Sequence, residues 1–353
     1  MRKKVLVAMS GGIDSSVAAA LLLKQGYEVA GITMRIDDSS KASDTVAEAK
    51  RVASELGVEH HLVDVVDFFQ SNIIDYFTNE YLNGCTPNPC VCCNRKLKFG
   101  LLLDNACQLG FGFFATGHYA IIKEGRLYRG ADPRKDQSYF LYPIYSRDLS
   151  RVLFPLGGMT KNNVRQLGEQ FGLHNAKKDE SQDICFISTG DYTEFLKQNC
   201  GKDFAPGPIL DVNGRVIGRH PGIQNFTIGQ RKGLGALGKP MYVKEILPKD
   251  NAIVAATDDE LMTSCVFIKE TVTGPDPFDT DKSYSVQVRY RSQAVACHLE
   301  IMDGQRLKIC FDEQVRAVAP GQSAVIYDKD RVVGGGVICG EGEEEAERIS
   351  NNE

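Results

Sequence analysis

The tightest constraint on this chain lies in its first 26 residues. An apolar run over residues 5–9 stops at Gly11-Gly12, and Val17, Ala18, Leu21 and Leu22 follow at helical spacing until Gly26. That is a strand, a tight turn and a helix. Gly11 and Gly12 lack a Cβ and can take positive φ, so backbone N–H groups can converge there on an anion. The helix opening near Ser15 adds its dipole and its unpaired N–H groups. Ser10 and Ser15 supply hydroxyls, and the Asp14 carboxylate can hold Mg²⁺ against phosphates. The stretch Ala8-Met9-Ser10-Gly11-Gly12-Ile13-Asp14-Ser15 therefore predicts a nucleotide-phosphate loop, without the lysine of Gly-x-x-x-x-Gly-Lys-Ser/Thr.

The pattern that follows is α/β. Residues 29–36 predict a second strand, at whose end Met34 would face an adenine across the sheet edge. A helix over about 44–56, capped by Ser43 or Asp44, leads to a third strand at 58–65, and 113–116 add a short one ended by Gly117. Strands separated by helices of this length imply right-handed crossovers and a parallel sheet, a Rossmann-like domain. From about Lys202 the rhythm changes to short β-like runs at 207–211, 241–246 and 252–255. Pro275 and Pro277 mark a turn-rich stretch, 284–291 alternates with period two, and 307–311 and 324–327 add strands. Two small barrels or sandwiches are expected. The expected organisation is an ATP-binding catalytic domain over 1–200, a central β-rich domain over 201–272, a C-terminal β-barrel over 273–340, and a disordered acidic tail over 341–353.

Charge excludes little. The net charge is −5, but the tail alone holds six Glu and one Arg, so residues 1–340 sum to zero. A neutral body with local basic clusters can bind RNA. No apolar run approaches the ~20 residues that cross a bilayer, and no export signal is read at the start, so the cytoplasm is the expected compartment. Eleven cysteines then read as free thiols rather than a disulfide framework.

Two cysteine segments stand out. The first is Thr86-Pro87-Asn88-Pro89-Cys90-Val91-Cys92-Cys93-Asn94-Arg95-Lys96-Leu97-Lys98-Phe99. Asn94 is expected to cap a helix over 95–109, placing Cys93 at its N-terminal end, where the dipole, Arg95 and Lys96 would lower the thiol pKa. The second is Lys178-Asp179-Glu180-Ser181-Gln182-Asp183-Ile184-Cys185-Phe186-Ile187.

The loop resembles the PP-loop of ATP pyrophosphatases (the adenine nucleotide alpha hydrolase-like fold), and the chain as a whole resembles the tRNA-specific 2-thiouridylase family. The likeness runs on through Ala115-Thr116-Gly117-His118-Tyr119, Lys135-Asp136-Gln137-Ser138-Tyr139-Phe140-Leu141, Leu153-Phe154-Pro155-Leu156-Gly157, Phe226-Thr227-Ile228-Gly229-Gln230-Arg231-Lys232-Gly233-Leu234, Val288-Arg289-Tyr290-Arg291 and Pro320-Gly321-Gln322. It implies ATP and Mg²⁺, a tRNA with a wobble uridine, and a persulfide donor or relay protein as partner, with neither membrane nor DNA. By the same resemblance Cys93 is the nucleophile and Cys185 the persulfide carrier, left joined as a disulfide after turnover. Gly117 would contact the nucleotide. Asn88, Pro89 and Cys90 would receive a base flipped out of its stack. His118, Lys135, Asp136, Gln137, Arg289, Tyr290 and Gln322 would touch tRNA.

Cys90 departs from the family, many of whose members carry Asp there, and it creates Cys90-x-x-Cys93. With Cys185 this makes a candidate ligand set for a [4Fe–4S] cluster, an alternative sulfur route. Two rival classes are a PP-loop amidating synthetase and a zinc-binding RNA module on Cys85, Cys90, Cys92 and Cys93. Neither accounts for loop, paired cysteines and β-rich half together.

Overall fold

A computed structural model describes residues 3–176, 178, 184–187, 190–235, 238–302 and 306–340. The acidic tail and residues 179–183 of the second cysteine segment lie outside them.

The α/β half is built on β1 (Lys4–Ala8), β2 (Glu28–Arg35), β3 (Glu59–Asp64), β4 (Phe113–Ala115) and β7 (Val152–Leu153), in the order β3-β2-β1-β4-β7. Every pairing is parallel. The order reverses between β1 and β4, the crevice where such sheets bind ligands. Helix Ile13–Lys24 fills the crossover and is buried along most of its length, Val17, Ala18 and Ala19 fully. The next helix, Ser40–Leu56, starts earlier than its apolar periodicity suggests, because Ser39 rather than Ser43 or Asp44 accepts the Ala42 N–H (3.1 Å). Helix Lys161–Gln170 opens on a capping box between Thr160 and Asn163. It lies tight on the first helix, since a Cβ at Gly168 would fall 2.5 Å from Ile13 Cδ1.

β5 (Ala120–Lys123) and β6 (Arg126–Arg129) form a hairpin that leaves this domain. The central sheet is four-stranded: β8 (Gly207–Leu210), β9 (Val216–His220), β10 (Tyr242–Leu247) and β11 (Ala252–Ala256). The last sheet comprises β12 (Met262–Thr273), β13 (Tyr284–Gln287), β14 (Val295–Ile301), β15 (Leu307–Arg316), β16 (Ser323–Asp328) and β17 (Arg331–Cys339). β12 also pairs with β17, which closes these strands into a barrel, and β6 adds to the outside of β17.

The barrel shares a hydrophobic core with the α/β half. One hydrophobic cluster runs from Leu6, Phe99 and Phe114 through Tyr139 and Tyr142 to Val325, Tyr327 and Val332. Each large side chain buried there contributes roughly 1.5–3 kcal/mol, so separating barrel from sheet would expose several at once.

Candidate active site

The phosphate loop sits where expected, at the carboxyl end of β1. Gly11 has φ +69°, and a Cβ on it would lie 2.7 Å from Glu48 Cβ, so only glycine fits. Gly12 caps the helix. The Ser10 N–H donates to Ser15 Oγ (3.2 Å), and Ser15 and Ser16 hydroxyls donate to Gly12 O (3.1 and 2.9 Å). Asn175 donates to Gly11 O (2.8 Å) and to Ser16 Oγ (2.9 Å), bracing the turn from outside. Met9 and Ile13 face the core, and Ala8 is half-buried. Met34 is half-buried at the end of β2, packed against two of the hydrophobic clusters.

Sequence reasoning missed Lys161. It is the first residue of its helix and 7% exposed, yet its Nζ reaches Asp14 Oδ1 at 2.7 Å. The Tyr119 hydroxyl donates to the same oxygen (2.7 Å), and Asp132 accepts the Lys161 backbone N–H (3.0 Å). A lysine thus reaches the loop from 147 residues downstream. Its signal in the sequence is a lysine just after a Thr N-cap, which does not by itself point to a phosphate.

Gly117 abuts the loop directly: a Cβ there would lie 2.8 Å from Asp14 C and Ser15 N. The next residue, His118, is 9% exposed and its Nδ1 meets Thr116 Oγ1 at 2.6 Å. Burial, and then the charge of Lys98, hold its pKa well below the usual imidazole value, so the ring is neutral. Its Nε2 accepts from Lys98 Nζ at 3.4 Å.

The first cysteine segment folds differently from the expectation. Asn88, not Asn94, is the cap, accepting the Val91 N–H (3.4 Å), and Pro89 takes the first helical position. The helix runs as Pro89–Cys92, then Cys93–Leu102 in wider π-type winding, then Leu103–Gln108. Asn94 is 2% exposed and donates to Phe140 O (3.0 Å). Cys93 therefore stands a turn inside the helix, where burial pushes its thiol up to about 12 rather than down. Arg95 turns away to Glu270 (2.8 Å) and Lys96 reaches Asn72 (3.5 Å); their charges bear on Cys92. Lys98 takes the place expected of them. It stands five residues after Cys93 in the π-wound stretch, and its charge lowers the pKa of Cys90, Cys93 and Cys185 against the burial that raises all three.

Cys185 keeps an exposed surface, yet enough protein packs around its thiol to raise its pKa, and it lies near this cluster. Lys41 donates to its carbonyl (3.1 Å), while Phe186 anchors it among Phe69, Phe77 and Phe195 with ring centroids 5.7, 5.4 and 5.1 Å away. Cys90, Cys93 and Cys185 lie near enough to raise one another's pKa. Among the described residues, however, no group of three or more His, Cys, Asp or Glu side chains converges in a metal-holding arrangement. The geometry of the described residues thus gives no support to the trio as ligands of a [4Fe–4S] cluster, nor to the four cysteines of the zinc alternative.

Other expected RNA contacts are held within the fold. Asp136 accepts from Gly130 N, Ser138 N, Ser138 Oγ and Arg129 (2.9–3.1 Å), Gln137 accepts the Tyr119 N–H (2.9 Å), and Lys135 caps a turn on Asp132 O through its backbone. The period-two strand expected over 284–291 ends at Gln287, and Arg291 at φ +66° turns the chain out of the barrel wall. That turn carries Arg289 to Ile228 O and Ala317 O (3.4 and 3.1 Å) and lays Tyr290 on Phe140 (4.3 Å).

A parallel sheet whose switch point carries a glycine-rich loop without its own lysine defines the class: a PP-loop, ATP-using domain followed by two β domains. Residues 3–189 match the family model described as tRNA methyl transferase HUP domain, 193–257 the tRNA methyl transferase PRC-barrel domain, and 262–338 the Aminomethyltransferase beta-barrel domain. The tRNA-specific 2-thiouridylase MnmA of Carboxydothermus hydrogenoformans is 44% identical over 96% of this chain and 98% of its own. That of Pelobacter propionicus is 45% identical over 95% and 97%. The chain belongs to the tRNA-specific 2-thiouridylase family. A more distant likeness, at 20% identity and TM-score 0.37 over 56% of this chain and 66% of that one, is to the U34-tRNA thiolase NcsA from Methanococcus maripaludis with its [4Fe-4S] cluster. Among the described residues no helix is long and apolar enough to cross a membrane.

Proposed function

We propose that this chain thiolates C2 of the wobble uridine of tRNA, using ATP and a cysteine persulfide. The observation that carries the reading is the contact path Asp14/Ser15–Gly117–His118–Lys98, which joins the phosphate loop to the thiols of Cys90, Cys93 and Cys185. Neighbouring side chains then link the nucleotide and the sulfur chemistry. Methyl transfer, the activity in the family model's description, needs neither an ATP loop nor paired thiols.

The uracil C2 oxygen attacks the α-phosphorus, an O–P bond forms, and the α–β bridge breaks with pyrophosphate leaving into the Ser10–Ser15 amides. Asp14, 32% exposed, would hold Mg²⁺, which would neutralise charge on that leaving group. Lys161, beside Asp14, is placed to pair with a phosphate oxygen. The terminal sulfur of a Cys185 persulfide attacks C2 and AMP departs with the C2–O bonding pair. The Cys93 thiol next attacks Cys185 Sγ, its proton passing to the 2-thiouracil as the S–S bond breaks, leaving sulfur on C2 and a Cys93–Cys185 disulfide that an external thiol reduces. Lys98 offsets the sulfur anions in this buried setting. Asn88, Pro89 and Cys90 form the wall that receives the base. A persulfide-carrying protein supplies Cys185, whose exposure suits such a partner.

The test is mass spectrometry of tRNA thiolated in vitro with ATP and a persulfide donor. Cys93→Ala and Cys185→Ala are expected to give no 2-thiouridine while the parent does; product from both variants would refute the reading.

A further inference from the structure

Of Arg289, Tyr290 and Gln322, all expected on the RNA, Gln322 reaches the base-receiving loop directly and Tyr290 reaches the cysteine helix through Phe140. The Gln322 Nε2–H donates to Thr86 O (2.7 Å), and the Thr86 N–H donates to Pro320 O (2.8 Å). Both backbone groups of Thr86 are thus held by one corner of the barrel. The approach is close: Gly321 has φ +86°, and a Cβ on it would sit 3.0 Å from both Cys85 Cβ and Thr86 N. The corner is itself fixed. Gly321 N donates to Ile338 O (2.9 Å), Ile338 N donates to Gln322 O (2.8 Å), and Arg289 holds Ala317 O (3.1 Å) at a residue with φ +54°. From the central domain, Thr86 Oγ1 meets Thr227 Oγ1 (3.3 Å).

Thr86 leads to Pro87, Asn88 and Pro89. Two of these φ angles are locked by proline rings, and Thr86 and Asn88 are each restricted by the proline after them. The segment transmits position like a short rod. At its far end Asn88 caps the helix that carries Cys90 and Cys93. A second bolt runs alongside: Tyr290 packs on Phe140 (4.3 Å), whose carbonyl accepts from Asn94, next to Cys93 (3.0 Å).

We propose that Gln322 is a positioning residue: acting through Thr86, it fixes the base-receiving loop and the start of the cysteine helix, so the C-terminal barrel sets the geometry of sulfur transfer. This deepens the thiolation reading and rests on it for the catalytic readout. The donor matters, not the bulk, so Gln322→Met and Gln322→Glu keep the volume and lose the bond, whereas Gln322→Lys can restore a donor.

Two measurements test it. Single-turnover thiolation at saturating tRNA is expected to slow by about tenfold in Gln322→Met and Gln322→Glu, the size of one lost hydrogen bond. The tRNA Kd stays within about twofold, and Gln322→Lys recovers most of the rate. Hydrogen exchange of the peptide over residues 85–93, read on the free protein, is expected to quicken in the Met variant while the sheet peptide over 4–8 is unchanged. A weakened tRNA Kd with an unchanged saturating rate would make Gln322 an RNA contact and overturn the proposal. Unchanged exchange over 85–93 would overturn it as well. If the parent enzyme itself makes no 2-thiouridine, the functional reading fails, and exchange still decides the positioning.

Discussion

Replacing Lys161 separates two effects that the structure makes calculable. In the free protein Lys161 Nζ lies 2.7 Å from Asp14 Oδ1, with its own side chain 9% exposed and that of Asp14 32% exposed. An exposed pair is worth about 0–1 kcal/mol, and breaking a fully buried one costs about 3–5. Here one partner is buried and the other is partly solvated, and the Tyr119 hydroxyl (2.7 Å) stays on the orphaned oxygen. Lys161→Met should therefore cost about 1–2 kcal/mol of stability, a fall in Tm of a few degrees. Binding of ATP should suffer more. A charge-assisted bond to phosphate is worth roughly 1.5–3 kcal/mol, or ~10–150-fold in Kd. Calorimetric titration with Mg²⁺ and a non-hydrolysable ATP analogue measures it, with thermal melts of the unliganded protein alongside. Lys161→Arg, which keeps the charge, should fall between. A Lys161→Met protein that melts lower yet binds the nucleotide within twofold of the parent would refute the assignment, leaving Lys161 a structural partner of Asp14.

Gly117→Ala should weaken ATP binding by more than tenfold and lower the melting temperature, because its methyl would press on the Asp14–Ser15 backbone at 2.8 Å; the same titration and melts check it. Burial pushes the Cys93 thiol up to about 12, so alkylation of Cys93 should climb about tenfold per pH unit from pH 7 to 10 without a plateau. Lys98→Gln should slow it several-fold at fixed pH and Lys98→Arg restore it, read by peptide mass spectrometry. The same shift has a sign for stability: an unfolded thiol ionises near ~8.5 while the folded one keeps its proton, so stability falls as pH rises past ~9. Urea melts from pH 7 to 10 should show that fall reduced in Cys93→Ala. His174 sits between Glu55 and Glu48 (2.8 Å each), which raise its pKa. Its contribution is present below the unfolded value of ~6.5 and lost as pH rises through the folded one. Melting curves of His174→Gln should be flatter across that range.

The strand–turn–helix of the loop and the parallel sheet were legible in the sequence because each rests on local chemistry, while the family resemblance singled out Cys93 and Cys185. Glycines at a strand–helix turn and apolar runs at period 3.6 need no distant partner to be recognised. The neighbours that tune those groups were not legible. Placing a helix start at Asn94 put Cys93 at a dipole that would lower its pKa; Asn94 is instead drawn inward by Phe140 O, and the helix begins at Pro89. Local sequence gave no hint of that, since the competing partner lies 46 residues away. Likewise the alternation over 284–291 reads as one strand until packing against Phe140 and Ala317 turns Arg289 and Tyr290 out of the barrel.

What the sequence by itself determined is where a glycine-rich strand–helix turn and the two cysteine segments lie along the chain. What only the tertiary structure decided is their charge and their geometry. Lys161 reaches Asp14 across 147 residues, and Gln322 reaches Thr86 across 236. Burial, which depends on every element at once, reverses the ionisation that the isolated helix end would give Cys93.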